Sequence, residues 1–309
     1  MPTYRLVIEY EGTRYHGWQE QQNARTVAGE LRRAIEKVAG RVQELGGSGR
    51  TDAGVHALAQ SAHLRVPADL DPERFRREVN ELLPADIHLL GVRLIDNRFH
   101  ARHSAVSRSY LYQISQRRTA FGKRYVWWVK RPLDVARMQR AAALLPGRHD
   151  FVRFCEHRAD QTSTLVEVTS ASVARFEALI VIRLEASHFL WKMVRRVVGT
   201  LVAVGGGELQ LDGFRSLLAG QELPAGAGAP AEWTAPPSGL FLERIRYEGE
   251  PALMAIAPAI PVSAERPGTD WVAAPEVRSA PPSRTPARPP RAHPAPRREP
   301  PKPRRGGRG

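Results

Sequence analysis

One cysteine, Cys155, is all the chain contains, which excludes an intrachain disulfide and a thiolate metal cluster and fits a reducing compartment. Long hydrophobic runs are missing too. The longest, from Val197 to Gly207, is too short to cross a bilayer, and MPTYRLVIEYEG at the start has neither the basic nor the apolar block of a signal peptide. The expectation is a soluble, cytoplasmic protein without a membrane segment. Acidic side chains are scarce, 32 against 46 basic ones, for a net charge of +14 over 309 residues. That length can hold one large or two ordinary domains with a real apolar core. The charge is uneven: from Arg278 to Gly309 nine arginines and one lysine face one glutamate, a net of +9 that leaves +5 for the rest. This tail has ten prolines in 32 residues and hardly any apolar side chain, so it is expected to stay disordered. It would attract a polyanion such as RNA non-specifically. A solvated extension with no specific role is the alternative.

Periodicity gives an α+β order. TYRLVIEY (3–10) alternates as a strand. Residues 24–40 offer Thr26 as N-cap, apolar Val27, Leu31, Ile35 and Val38 at helical spacing, and Gly40 as a stop. HALAQSAHLRV reads as a strand with Leu58, Ala62, Leu64 and Val66 mostly on one face. DPERFRREVNELLP reads as a helix capped by Asp71, with Pro72 at its first position. IHLLGVRLID and SYLYQIS are strands, and DVARMQRAAALLPG is a helix starting near Asp134. TLVEVTSASVARF and ALIVIRLEAS are strands, FLWKMVRRVVGTLVAVGGG is a long helix, and GLFLERIRYE is a closing strand. Two α+β halves with helices over a mainly antiparallel sheet fit this order. The expected division is 1–104, 105–250 and a basic tail at 251–309, with folding complete past about Gly249.

The stretch GGSGRTDAGVH (46–56) packs four glycines around Arg50 and Asp52. Glycines allow positive φ and close approach of the backbone to a large ligand. An arginine beside a carboxylate can pair with it or reach a phosphate or base; a plain surface turn carrying an ion pair explains the same text. His16, His56, His63, His100 and His103 invite a metal reading, but ligand pairs at such spacings need a helix, and this text is Gly-rich or irregular. RFHARHSAVSRSYLYQ interleaves Arg98, Arg102 and Arg108 with Phe99, Tyr110 and Tyr112, a pattern that suits phosphates and stacked bases or an edge strand with solvated arginines. Arg195 and Arg196 interrupt an apolar helix. One of them is expected to be buried and to need a carboxylate.

GRTDAGVHALAQSAHL, together with YEGTRYHGWQEQ, FHARHSAVSRSYLYQI, FLWKMVRRVVGTLVAVG and PPSGLFLERIRY, resembles in order the motifs of tRNA pseudouridine synthases of the TruA type. The resemblance covers roughly residues 3–248. It implies the pseudouridine synthase fold, two similar halves forming a mainly antiparallel mixed sheet with helices on one side. It also implies isomerisation of uridine at positions 38, 39 and 40 of the tRNA anticodon arm, by C–N glycosidic cleavage, base rotation and C–C bond formation. By the resemblance Asp52 is the essential carboxylate, acting on the sugar as nucleophile or as base; positive character at C1′ is what a carboxylate can stabilise or capture. Arg50 is implied in turning the base out of its stack, Tyr110 in packing on it, and Arg195 in pairing with Asp52. Phe99, Ala101 and Arg102 are implied as RNA contacts. An aliphatic pocket residue comes from GLFL, with Leu240 preferred over Leu242. No metal and no organic cofactor is implied, and the partners are tRNA and a second copy in a homodimer.

The chain departs from that pattern at Ser163, where an arginine is expected; His157 or Arg158 could supply the missing contact. Two other classes remain as alternatives. One is a non-catalytic RNA-binding or RNA-folding protein on the same scaffold, which would not need Arg50, Asp52, Tyr110 and Arg195 together. The other is a metal-dependent hydrolase, which would be silenced by chelation.

Overall fold

The structure is a computed structural model that describes residues 1–157, 161–253 and 255–264. Among the described residues ten strands follow one another: β1 Thr3–Tyr10, β2 Glu44–Gly47, β3 His56–Arg65, β4 Ile87–Ile95, β5 Ala105–Ser115, β6 Trp127–Trp128, β7 Gly147–Asp150, β8 Leu165–Phe176, β9 Leu179–Ala186 and β10 Leu240–Tyr247. They form one sheet in the order β4-β1-β3-β10-β5-β9-β8-β7, with β2 on β3 and β6 on β5. All pairings are antiparallel except β10 with β3 and β5 with β6. The expected α+β class is thus what the chain adopts. The parallel pair β3/β10 joins the earlier strands to the later ones, and both strands begin at the same end of the sheet, where the candidate site lies.

The five α-helices of the described residues, α1 Val27–Ala39, α2 Pro72–Leu82, α3 Val135–Ala142, α4 Met193–Gly205 and α5 Leu211–Leu218, all bury residues in one main core. The opposite face of the sheet carries a small cluster of Leu111, Val126, Leu179, Val181, Phe241 and Val262, to which no helix contributes. The helices therefore cover one side. Local chemistry explains the sharpest boundaries. Thr26 accepts from Gly29 N and Gly40 ends α1 at φ +75°, a cap worth about 1 kcal/mol. Asp71 accepts from Glu73 N and Arg74 N ahead of Pro72. Leu31 and Ile35 are fully buried, each worth roughly 1.5–3 kcal/mol relative to exposure.

Some expectations are corrected. Leu58 does not share a face with Ala62, Leu64 and Val66: it packs on the small cluster while they lie in the main core. A bulge is the cause, since Gln60 faces Ile8 but Ala57 faces Tyr10, so three residues of β3 span two of β1. The long helix is shorter than expected, because Lys192 at φ +60° breaks the turn and α4 starts only at Met193. The folded chain also runs on past Gly249. Met1–Ala264 form one compact unit, Ile256, Ala259 and Val262 join the small cluster, and Gln113 bonds both the N–H and the carbonyl of Ile260. The basic segment from Arg278 lies outside the described residues. Among the described residues no helix is long and apolar enough to cross a membrane.

Candidate active site

A cleft of about 590 Å³ opens where β3 and β10 begin, and it gathers Arg50, Asp52, Arg102, Tyr110, Arg195 and Leu240 from distant parts of the sequence. Residues 48–55, which carry Asp52, are held from behind by the segment before α1. Trp18 N donates to Thr51 O at 3.2 Å, Gly54 N to Tyr15 O at 3.2 Å, and the Tyr10 and Thr51 hydroxyls meet at 2.8 Å. Gln60 Nε2 donates to Gly49 O at 2.8 Å. The backbones approach so closely that a Cβ on Gly17, at φ +88°, would stand 2.3 Å from Thr51 O. This accounts for the motif YEGTRYHGWQ: it is a brace for the Asp52 loop.

The glycines of GGSGRTDAGVH do not simply make room for a ligand, as their spacing suggested. A Cβ on Gly46 would meet the His63 ring and one on Gly47 the Trp18 indole, each at 2.3 Å, so these two serve internal packing. Gly49 is the one beside the Tyr110 hydroxyl, with 3.8 Å available to a Cβ.

Arg195 stands in the first turn of α4. Its Nε donates to Ala235 O at 2.6 Å, Ala235 N donates back to Arg195 O at 3.0 Å, and its Nη1 lies 3.7 Å from Asp52 Oδ2. Neither arginine of this helix is fully buried as expected; Arg195, partly buried, faces the carboxylate of the Gly-rich loop. The positive end of the α4 dipole points the same way. Arg196 turns aside, to Cys155 O and to Glu156 at 3.6 Å. Tyr110 is buried against Phe189 in an edge-on contact at 5.0 Å. Burial first, then the nearby Tyr10 and Asp52, pushes its hydroxyl well above the ordinary tyrosine range, so it stays protonated. Leu240 lines the cleft, whereas Leu242 is fully buried away from it.

The other expected contacts divide. Arg50 and Arg102 are exposed on the cleft. Phe99 and Ala101 are not: Phe99 packs on Tyr247 at 5.0 Å, and Ala101 is fully buried, its carbonyl accepting from Tyr247 Oη at 2.8 Å. Their apolar side chains belong to the core and carry the loop that presents Arg102. Ser163 lies on the cleft and His157 is exposed, while Arg158 falls outside the described residues. Beside Arg108, residues not singled out from sequence also line the cleft, chiefly Trp18, Phe189 and Trp191. Arg108 had a signal in its interleaved text. Its guanidinium takes neutral acceptors, Ser187 O at 2.7 Å among them, and burial lowers its pKa. Phe189 and Trp191 had none, because they read as helix.

Glu44, His63 and His100 bring potential metal-binding atoms within 4.8 Å of one another. The hydrogen bonds argue against a ligand set. His63 Nδ1 accepts from Ala101 N at 3.2 Å and donates from Nε2 to Glu44 Oε1 at 2.9 Å, and His100 Nδ1 accepts from Arg102 N at 3.2 Å. Each neutral ring then carries its proton on Nε2, where a metal would need a lone pair. The group works as a bracket for the Arg102 loop. His56 is similar: Nδ1 accepts from Gly12 N at 3.0 Å, Nε2 donates to Arg124 O at 2.9 Å, and burial lowers its pKa.

The chain resembles known proteins over most of its length. A family profile described as tRNA pseudouridine synthase matches residues 6–103 and 141–248. A tRNA pseudouridine synthase A from Thermoanaerobacter sp. (strain X514) is 39% identical over 249 residues, 80% of this chain and 100% of the relative. One from Rhodopseudomonas palustris (strain BisA53) is 40% identical over 251 residues, 80% of this chain and 100% of the relative. One from Maricaulis maris (strain MCS10) is 39% identical over 253 residues, 81% and 99%.

Proposed function

The chain belongs to the tRNA pseudouridine synthase family, and from that premise we propose that this cleft isomerises uridines 38, 39 and 40 of the anticodon arm with Asp52 as the essential carboxylate. The observation that carries the residue assignment is the Asp52–Arg195 pair, 3.7 Å across a cleft whose walls come from distant parts of the sequence. In the reaction the C1′–N1 bond breaks, the uracil turns, C1′ bonds to C5, and the C5 proton ends on N1. Nothing is oxidised or reduced. Asp52 meets the positive character that develops at C1′, and Arg195 fixes the carboxylate's position through its own tie to Ala235 O.

Tyr110 and Leu240 form the surface on which the base packs. The raised pKa of Tyr110 makes its hydroxyl a hydrogen-bond donor to the base and not a proton acceptor at neutral pH. Arg50, exposed at the rim, is placed to occupy the gap left when the nucleotide turns out of its stack. Arg102 and Arg108 give the same rim positive charge for phosphates. We extend the reading to a homodimer working in the cytoplasm, which sedimentation of the purified chain and fractionation of cells would test.

The deciding experiment is site-resolved pseudouridine mapping of tRNA treated with the wild type and with Asp52→Asn. The expected outcome is loss of product by about 1,000-fold or more, with tRNA binding retained. Undiminished product from Asp52→Asn overturns the assignment, and product at uridines outside the anticodon arm overturns the proposed target.

A further inference from the structure

No aspartate or glutamate occurs between Asp96 and Asp134, and the 37 residues between them hold nine arginines and lysines. Arg102 and Arg108 of this set face the cleft. Six others, Arg117, Arg118, Lys123, Arg124, Lys130 and Arg131, lie beyond the end of β5, in residues 117–131. Two of the six have internal duties: Arg131 pairs with Glu208, and Arg117 Nε donates to Ser263 O at 2.8 Å. Arg118, Lys123, Arg124 and Lys130 are exposed and make no ion pair among the described residues. The helices differ. There Arg74, Arg76, Arg137 and Arg215 each meet a carboxylate three or four residues away.

Within this basic segment Trp128 is 38% exposed. Its neighbour Trp127 turns its ring to Tyr112 in the main core at 6.3 Å, so strand alternation sends Trp128 to the opposite face. There the indole stands between two cations, with the Arg118 guanidinium 5.6 Å and the Lys130 ammonium 5.4 Å from its ring centre. A loop that needs only solubility has a use for the charges but not for an exposed indole among them. An aromatic face flanked by unpaired cations suits an unpaired base with phosphates on either side. The segment is also tied to the Asp52 loop, because His56, four residues after Asp52, donates to Arg124 O at 2.9 Å. β5 ends at Ser115, five residues or about 17 Å from Tyr110 at the usual strand rise, and the segment begins two residues further on. That distance is outside the cleft and within the span of one RNA arm.

We propose that residues 117–131 form a second RNA-docking surface, distinct from the catalytic cleft, that grips backbone phosphates through Arg118, Lys123, Arg124 and Lys130 and stacks an unpaired base on Trp128. The occupant is part of the tRNA whose uridine is in the cleft, so the inference rests on the proposed function. It adds a reason for the acid-free sequence: a single carboxylate in this stretch would repel the strand it holds.

The test compares full-length wild type, the combined variant Arg118→Gln, Lys123→Gln, Arg124→Gln, Lys130→Gln, and Trp128→Ala, with unchanged thermal unfolding as the control for folding. Binding of unmodified tRNA is measured as a function of salt, and pseudouridine formation as a function of tRNA concentration. The charge variant is expected to bind about tenfold or more weaker near 100 mM salt, with its log–log salt slope smaller by about 2 to 3. Excess tRNA recovers its rate. Trp128→Ala is expected to weaken binding about fivefold or more with the salt slope unchanged, and Trp128→Phe to restore most of it. Wild-type affinity and slope in the charge variant overturn the proposal, as does a loss confined to vesicles of anionic lipid. Asp52→Asn separates the two claims. It should bind with the full wild-type slope, so a protein that binds tRNA through this surface but makes no pseudouridine defeats the proposed activity and leaves the surface standing.

Discussion

The two walls of the cleft are built differently. On one side, residues 48–55 are pinned by backbone hydrogen bonds to Tyr15 and Trp18, by the Tyr10 hydroxyl and by Gln60. On the other, residues 187–192 are held at their start by Ser187 N to Glu167 O at 2.9 Å and by Arg108 to Ser187 O at 2.7 Å, and at their end by Glu156, whose N donates to Trp191 O at 3.0 Å and whose carboxylate meets Lys192 and Arg196. The first wall has little freedom to move without unfolding. The second is fastened at its end by the partly exposed Glu156, Lys192 and Arg196 side chains, which can exchange partners. A fixed carboxylate opposite an adjustable wall is what a site needs if it must hold one reacting atom accurately and accept a large substrate around it.

The sharpest way to break this contrast is Gly17→Ala. Its Cβ has no space beside Thr51 O and its φ is positive, so the variant should lose about 2 kcal/mol or more of stability and most of its activity. Denaturant unfolding with pseudouridine assays measures both, and wild-type values would show that the wall is not pinned. On the adjustable side, Glu156→Gln removes the carboxylate from Lys192 and Arg196. Because these pairs are partly exposed, stability should fall by less than about 1 kcal/mol, while the tRNA concentration for half-maximal rate rises about threefold. Steady-state kinetics would reveal the reverse pattern if Glu156 were needed for the chemistry. The smallest effect is with pH. Burial lowers the pKa of His56 below its ordinary value of 6.5, so the unfolded chain takes up a proton before the folded one does. Stability is therefore full above pH 6.5 and declines as pH falls below it. Protonated Nδ1 can no longer accept from Gly12 N, and faster hydrogen exchange at the Gly12 amide below pH 6.5 would show that acid loosens the pinned wall.

Local signals in the sequence were strong where a side chain acts on its own neighbours. Thr26, Asp71 and Gly40 mark helix ends by capping, and β1 shows plain alternation. They were weak where structure depends on distant partners. α5 carries Gly213 in its middle and went unread, and β2 and β7, four residues each, exist only because β3 and β8 lie beside them. The same holds for the site. GGSGRTDAGVH by itself is a turn with an ion pair; that Asp52 faces Arg195 and not only Arg50 is a tertiary fact. Phe99 and Ala101 have the composition of an RNA-facing motif yet fill the core, because motif text does not say which face of a loop is covered.

The parallel pair at the centre of the sheet has a consequence for how the molecule assembles. β10 is the last strand to be made among the described residues, yet it takes a place in the middle, between β3 and β5. All earlier strands must wait with that gap open, and closing it pairs residues nearly two hundred positions apart, which predicts slow folding dominated by long-range contacts. The cleft, which needs Leu240 from this strand and Asp52 from the loop before β3, comes into being only at that final insertion. Neither half of the chain holds all the cleft residues, so a chain cut before β10 would lack Leu240 and with it one wall of the candidate site.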